Sequence, residues 1–581
     1  MNVDELLSYQ PEKPAVSSAN ASANKRTNDA SIAYTAGLPK RAKRPILDDV
    51  PVQSNSSSMN NANLASLSRD ERDRLLQMLE QESSTDELDE TSLKRMLSQL
   101  EKRISKNQEM RIKYPDHPEK FMDSEIELND AVQELHAIAT QSDLYHVLVN
   151  MNGISLLMSL LTHENTDISI AVISLIQELT DVDTLTESEQ QAAFLIDALA
   201  EQQIVSLLVQ NMDRLDENVK EEADGIHNSL AIVENMTEFR PSLCVDACKQ
   251  GLLACLLKRL KIKSPFNSIR LYCSELMSIL LQNHDENRQM LGELEGIDIL
   301  LQQLAYYKRH DPQTSEEFEY MENLFSCLCS SLMFPSNRQR FLKGEGPHLM
   351  NIMLKERKAS RNGALKTLDF AMTGIEGKDN CQKIVDILGL RTLFPLFMKP
   401  PKGNKRSGET RAENEERVIS CIASLIRNCT SSNRQRVLNK FTENDHEKVD
   451  RLMELHFDYF QRVQAANNNI ERDEDEEEDE DEKYFGRLDA GLFTLQLIDY
   501  ILIEIASSTT SIPSIRQRVL QILNLRNSSP DMIKTIVREY ANNLGNTKKP
   551  NGIDHTSTDG TSNGHSDDSH KQYLLDLIEK F

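Results

Sequence analysis

Few residues in this sequence have types and spacings that could do covalent chemistry. Cys244 and Cys248 stand four apart, about one helical turn, and Cys327 and Cys329 stand two apart. Neither pair has a histidine or a further cysteine beside it at zinc-ligand spacing, so buried thiols in helical packing are the stronger reading. His446-Glu447 lacks the second histidine of a zinc-protease helix. Gly344-Glu345-Gly346 follows no strand, and reads as a helix–helix turn rather than a phosphate loop. The nine cysteines show no regular framework, as expected for reduced thiols in an intracellular protein. These features predict no catalytic residue, no metal and no cofactor. What remains is non-covalent: carboxylates and amides that could grip a basic chain, and a basic run that could itself be gripped.

The gripping groups recur. Segments 168–180, 219–237, 269–283 and 417–429 each contain an apolar pair followed by two polar residues, and the second polar residue is Glu178, Asn235, Asn283 or Asn428. An asparagine can bond an extended backbone through both halves of its amide, while at a helix C-terminus it is favoured anyway; both readings stand. The neighbouring acids are Glu178, Asp181, Asp183, Glu221, Glu222, Asp224, Glu234 and Glu238. They suit lysine and arginine side chains, or else a solvated helix face.

The elements that must position these residues come from a repeat. Apolar runs of helical type start at Gly153, Gln203, Gly251, Gly296, Gly346 and Gly389, at intervals of 50, 48, 45, 50 and 43 residues. A period near 40–47 residues marks armadillo or HEAT units of two or three helices, which bury their faces only by stacking. The expected fold is all-α, a right-handed superhelical solenoid of about seven to nine units with an atypical helical N-terminal cap. Residues 1–67 are polar and read as a disordered arm, 68–139 as the cap and 140–464 as repeats. Residues 465–483 form an acidic insert, 484–545 the C-terminal helical units, 546–572 a linker and 573–581 a short terminal helix. A second insert from Lys399 to Glu416, with two prolines and five basic residues, reads as a mobile loop.

Charge narrows the partners. There are 66 basic and 92 acidic residues, a formal charge of −26, and ten of the acids form one run from Asp473 to Glu482. Such a balance disfavours direct binding of nucleic acid and favours basic protein segments. The most apolar stretch, 488–506, contains Asp489, Asp499 and Glu504, which suits a buried helix better than a membrane crossing. The acidic start of the chain has no secretory character.

Beyond the period, particular words are recognisable. Met1-Asn-Val-Asp-Glu-Leu-Leu-Ser-Tyr-Gln-Pro, Lys113-Tyr-Pro-Asp-His-Pro-Glu-Lys-Phe-Met, Arg338-Gln-Arg-Phe-Leu-Lys-Gly-Glu-Gly and Gly389-Leu-Arg-Thr-Leu-Phe-Pro-Leu-Phe-Met-Lys resemble the beta-catenin-like protein 1 family, as does most of 92–545. The resemblance implies a nuclear armadillo-type protein associated with the spliceosome. Its implied partners are the cell-division-cycle-five-like protein and the NineTeen complex, held through basic, nuclear-localisation-type segments; in vertebrates the antibody-gene deaminase is held likewise. Residues 12–67, the acidic run and the tail from Asn546 depart from the family pattern.

An importin-like transport receptor is the competing reading. Importin-alpha receptors carry a tryptophan four residues before each ladder asparagine, whereas this chain has none; Ser174, Ala231, Ile279 and Ser424 stand there. Homo-oligomers remain open, and no membrane partner is expected. Lys40, Arg41, Lys43 and Arg44 fit a nuclear-import signal read by importin-alpha, with Lys25-Arg26 as an upstream half. Replacing all four by alanine is expected to shift the tagged chain toward the cytoplasm without altering its melting curve. Undiminished nuclear accumulation would instead assign import to a partner or to the basic insert from Lys402 to Arg411.

Overall fold

In the computed structural model of this chain, the described residues are 88–261, 266–404, 406–470, 480–507, 512–543 and 563–581. The basic run at Lys40–Arg44 and residues 471–479 of the acidic insert lie outside them. The described residues fall into two compact units, one of 88–160 with 181–198, the other of 161–180 with 199–581. All regular structure among them is helical, apart from one isolated bridge between Asn404 and Glu409.

The smaller unit opens with α1 (Glu90–Lys113) and α2 (Met122–Glu134). Asp89 caps α1 by accepting from the Ser92 amide at 2.8 Å. Leu93, Leu97, Leu100 and Ile104, at helical spacing, are buried on α1, as are Leu128, Ala131 and Val132 on α2. Between the helices, Asn107 Nδ2 donates to Ser124 Oγ at 3.0 Å, and Lys106 pairs with Glu127 at 2.7 Å. Pro118 opens the short 3₁₀ turn that separates the two. Next come α3 (Tyr145–Asn150) and α4 (Gly153–Leu161), and the unit also holds the helices Val182–Glu187 and most of Glu189–Glu201.

The larger unit is a run of helical triplets. It begins with α5 (Thr166–Leu179), α6 (Ile204–Met212) and α7 (Lys220–Phe239). Three full triplets follow: α8 (Leu243–Lys249), α9 (Leu252–Lys261) and α10 (Ser268–Leu280); α11 (Asp285–Glu293), α12 (Gly296–Ala305) and α13 (Ser315–Leu332); α14 (Pro335–Lys343), α15 (Gly346–Glu356) and α16 (Arg361–Met372). Two more are α17 (Lys378–Asp386), α18 (Leu390–Met398) and α19 (Arg411–Asn428), then α20 (Ser431–Asn439), α21 (Glu447–Ile470) and α23 (Leu492–Ser507), with α22 (Glu480–Asp489) inserted before α23. The end is closed by α24 (Pro513–Leu525), α25 (Pro530–Asn543) and α26 (Asn563–Lys580).

The expected starts are the entries of the second helices, and their cause is a backbone turn. Gln203, Glu295, Glu345 and Leu388 have φ between +54° and +63°, and Gly251 has φ +99°. A left-handed residue reverses the chain within one step, and the glycine after it lets the two helices touch. A Cβ on Gly346 would lie 2.2 Å from the Phe341 ring, and one on Gly296 would lie 2.6 Å from Leu291. The next second helix, α21, follows three consecutive left-handed residues, Asn444, Asp445 and His446, and therefore lacks the glycine signal.

Stacking is fixed by a second recurring feature. The third residue of α11, α14, α17 and α20 is asparagine: Asn287, Asn337, Asn380 and Asn433. The first three are at most 1% exposed. Asn287 Nδ2 donates to Leu280 O at 2.7 Å and Cys244 O at 3.2 Å; Asn337 Nδ2 donates to Ser331 O at 3.0 Å and Arg288 O at 2.7 Å. Asn380 Nδ2 donates to Ala371 O and Arg338 O, both at 3.2 Å. Each amide thus joins the end of one third helix to the preceding triplet's first helix. At Asn433 the contact changes to the side chains of Gln382 and Asp386, and Asn428 takes over by donating to Met372 O and Gly374 O. The arginines that follow, Arg288, Arg338 and Arg434, cap the same helix ends by donating to Leu281 O, Leu332 O and Ile426 O.

The C-terminal end of the array and the Lys399–Glu416 insert differ from expectation in detail. The terminal helix starts at Asn563, ten residues before Tyr573. Leu574, Leu577 and Ile578 are buried, Tyr573 donates to the Glu504 carboxylate at 3.0 Å, and α26 packs on α23 and α25. It covers a third helix that would otherwise face water, as a solenoid end requires. The described residues of the Lys399–Glu416 insert are pinned rather than loose: Pro400 and Pro401 are buried, Arg417 holds Glu409 at 2.8 Å, and Asn362 reaches Lys402 O at 3.4 Å.

Asn337→Ala removes the donor from two buried helix-end carbonyls and is expected to cost about 2–4 kcal/mol. Urea denaturation of the intact chain measures it. A change no larger than that of an exposed substitution such as Lys343→Ala would show that the rung carries no stability.

Candidate functional site

The third helices α5, α7, α10, α13, α16, α19 and α23 each pack on the next, forming one continuous strip within the larger unit. Their apolar faces are buried: Ile226, Leu230 and Val233 on α7, Leu276 and Leu280 on α10, Leu324 and Leu328 on α13. Polar side chains at the remaining positions are left on the strip, which makes it the place to look for ligand-binding groups.

The residues singled out from the sequence divide by environment. Glu221 and Asp224, in the first turn and a half of α7, are exposed, as is Glu238 near its end. Glu222 is engaged internally: its carboxylate accepts from the Asp216 amide at 2.6 Å and the Thr166 hydroxyl at 3.5 Å. Glu234 is buried and accepts from the Tyr272 hydroxyl, and Asn235 is also buried. Glu178 is half-buried near the end of α5. Asp181 and Asp183 belong to the smaller unit, where Asp181 caps the helix Val182–Glu187 by accepting from the Asp183 amide at 3.0 Å; Asp183 is exposed.

The asparagines do not form one row. Asn283 lies three residues beyond α10 at φ +55°, exposed, in the helix C-terminal turn. Asn428, the last residue of α19, is buried, with its amide donating to two carbonyls of the preceding triplet. Of the aligned positions, Ser174 and Ile279 are half-buried, while Ala231 and Ser424 are buried. The spacing puts exposed, half-buried and buried side chains in one class, because the sequence does not reveal where each third helix ends.

A group the sequence reading missed sits at the middle of the strip. It comprises Glu322 on α13, Lys366 and Asp369 on α16, Arg417 and Glu416 on α19, and Glu409 on the insert. Burial, then the neighbouring Glu409, pushes the Glu322 carboxyl up to about 7, against the pull of Lys366 and Arg417. Burial and Glu416 push Asp369 up to about 6, against a Ser420 hydrogen bond and Arg417. Asp369 Oδ1 and Glu409 Oε2 have no hydrogen-bond partner. Thr494 donates to Glu416 at 2.6 Å. Four carboxyls thus face two cations in a poorly solvated place, an arrangement that a lysine or arginine from outside would balance. Glu322, Lys366 and Asp369 lie on α13 and α16, outside the segments 168–180, 219–237, 269–283 and 417–429, while Glu409 and Glu416 lie just before the last of these. Gly363 on α16 packs directly on the Phe325 ring, which interrupts the apolar pattern there.

Nothing in this region resembles nucleophilic chemistry. All nine cysteines are buried free thiols, and burial pushes Cys248 and Cys273 up to about 12, far from thiolate at neutral pH. The acids of the apolar α23 are held inside the fold: Asp499 faces His456 at 2.6 Å, and Glu504 pairs with Arg434 at 2.8 Å. No single helix among the described residues is long and apolar enough to cross a membrane.

Comparison with known proteins agrees with this architecture. Residues 73–538 match the family described as catenin-beta-like, Arm-motif containing nuclear. Beta-catenin-like protein 1 of Homo sapiens is 60% identical over 472 residues, covering 80% of this chain and 84% of the human one. The beta-catenin-like protein 1 homolog of Schizosaccharomyces pombe is 30% identical over 482 residues, covering 81% and 82% of the two chains. A designed armadillo repeat protein is a looser structural neighbour, 14% identical with a TM-score of 0.32 over 46% of this chain and 98% of its own. Triplets of helices stacked through their third members, over a span that the family match nearly fills, mean that this chain belongs to the catenin-beta-like family of Arm-motif-containing nuclear proteins.

Proposed function

We propose that this chain is a nuclear scaffold of the splicing machinery that holds basic segments of partner proteins on its third-helix strip. The cell-division-cycle-five-like protein and the NineTeen complex are the proposed partners, and importin-alpha is proposed to carry the chain into the nucleus through Lys40–Arg44. The observation that carries the binding mode is the central carboxyl group at Glu322, Asp369, Glu409 and Glu416, with an acid surplus and two unpartnered oxygens. A lysine or arginine placed there would be held by charge-assisted hydrogen bonds. Exposed Glu221 and Asp224 extend the same sign of charge along the strip at α7. An importin-like receptor role lacks its indole ladder, since the chain has no tryptophan.

The raised carboxyls give the binding a pH dependence. Below about 7 Glu322 is largely protonated, and a cationic ligand favours its ionised form, so affinity for a lysine-rich peptide is expected to rise from pH 6 to pH 8. Folding stability moves the other way. The native state holds this proton over a range in which the unfolded chain has released it, so the Glu322 contribution becomes less favourable as pH rises from 4.5 towards 7.

The isosteric variant Glu322→Gln/Asp369→Asn therefore folds at least as stably at pH 8, yet is expected to weaken a labelled lysine-rich peptide about tenfold, equivalent to about 1.4 kcal/mol. Fluorescence anisotropy at low and moderate salt measures this, with added salt weakening the wild-type complex. Glu221→Lys/Asp224→Lys should weaken it less. Unchanged affinity in the isosteric variant, with loss on deleting Asp473–Glu482, would place the ligand on the acidic insert instead.

A further inference from the structure

On a chain of net charge −26, one pocket has the opposite character. It is a cavity of about 860 Å³ formed by the end of α15, the turn into α16, the second half of α18 and the start of the insert. Lys355, Arg357, Arg361, Arg391, Lys399 and Lys402 line it, and the described lining residues include no carboxylate. Five of these six are exposed and Arg361 is half-buried. Lys358 also lines the pocket, but it and the Ala359 amide are held by Asp311, at 3.0 Å and 2.8 Å. The floor is apolar, made by Leu354, Leu396, Pro400 and Pro401, all buried.

Three further observations suit the pocket to an anion. The first turn of α16 opens into the pocket through Arg361 and Asn362. Its cap residue, Ser360, makes no side-chain cap, because its hydroxyl donates to Tyr307 O at 2.8 Å. The Arg361 amide donates to Lys358 O at 3.0 Å, and the next two amides, of Asn362 and Gly363, carry the positive end of the helix dipole, a place suited to phosphate oxygens. Thr392 Oγ1, on a residue only 7% exposed, and Arg361 Nε both lack a hydrogen-bond partner. The Arg361 guanidinium is destabilised by burial and by Arg357 beside it, so the positive charge here is uncompensated.

We propose that this pocket docks a phosphorylated acidic segment of a partner protein, with phosphate oxygens on Arg357, Arg361, Arg391 and the α16 amides, and apolar side chains on the proline-leucine floor. Nucleic acid fits less well. The lining has no aromatic side chain on which a base could stack, and beyond the pocket the negative charge of the chain repels a long polyanion. This site is separate from the acidic strip, takes a ligand of opposite charge and uses none of the same residues.

The test is anisotropy of the full chain with a fluorescein-labelled phosphoserine- and glutamate-containing peptide, its dephosphorylated form and a single-stranded RNA. The phosphopeptide should bind, dephosphorylation should weaken it about tenfold, and Arg357→Glu/Arg391→Glu, which reverses two of the charges that hold the phosphate, should weaken it about a hundredfold. The charge-matched control Lys343→Glu/Lys378→Glu, at exposed positions outside the pocket, should bind as wild type. Failure of the phosphopeptide to bind, or equal loss in both variants, would overturn the proposal. Tighter binding of the RNA, lost in the Arg357→Glu/Arg391→Glu variant, would overturn the peptide assignment. A lysine-rich peptide should bind this variant as it binds wild type, so failure here leaves the acidic strip a separate question.

Discussion

The constraint on which the rest depends is what happens to the carbonyls at the end of each third helix. A helix leaves four such groups without partners, and here they end inside the stack, where water is excluded. Asn287, Asn337 and Asn380 answer this with one amide each, bonding the helix end and the first helix of the preceding triplet. The same bond that satisfies a helix terminus therefore fixes the offset between neighbours. Because that offset is repeated, the third helices lie side by side, and polar groups from separate triplets come into one strip. The meeting of Glu322, Asp369 and Glu416 from three successive triplets is a consequence of stacking rather than of local sequence.

The central acids show what this placement costs and what it makes available. Carboxyls drawn out of water next to one another hold their protons to higher pH than a surface acid, and Arg417 and Lys366 compensate only part of the charge. Such a place is destabilising in the free protein and ready for a cation. A ladder of indoles would hold lysine stems by packing; a set of carboxyls that includes the raised Glu322 and Asp369 holds the ammonium group and is sensitive to pH and salt. The acidic strip and the basic pocket at the α15–α18 edge further give one scaffold two chemically distinct places.

Much of the fold was legible because its turns are chemically marked. The left-handed residue before α12 and α15 and the glycine that opens each, with the apolar run after them, give a period that the eye finds in the sequence. The rungs were less legible. The recurring Asn-Arg-Gln at 287, 337 and 433, with Asn-Cys-Gln at 380, sits at the polar start of short helices, where asparagine has ordinary local uses. Its role appears only when the bonded carbonyl, over forty residues away, is known. The candidate site was the least legible part. Glu222, Glu234 and Asn428 look like free polar groups in sequence, yet each is engaged inside the fold, and Asn283 lies beyond its helix. The acids that do converge come from α13, α16, the start of α19 and the insert, whose relative register no spacing rule supplied.

The central claim is that a basic chain lies on the middle of the third-helix strip. The most direct measurement is photo-crosslinking of a lysine-rich peptide bearing a short diazirine, with the attachment sites mapped by mass spectrometry on the full chain. The account predicts crosslinks concentrated on α13, α16 and α19 around Glu322, Asp369 and Glu416, and diminished at high salt. Crosslinks confined to the Asp473–Glu482 run, or scattered evenly over exposed acids, would contradict it.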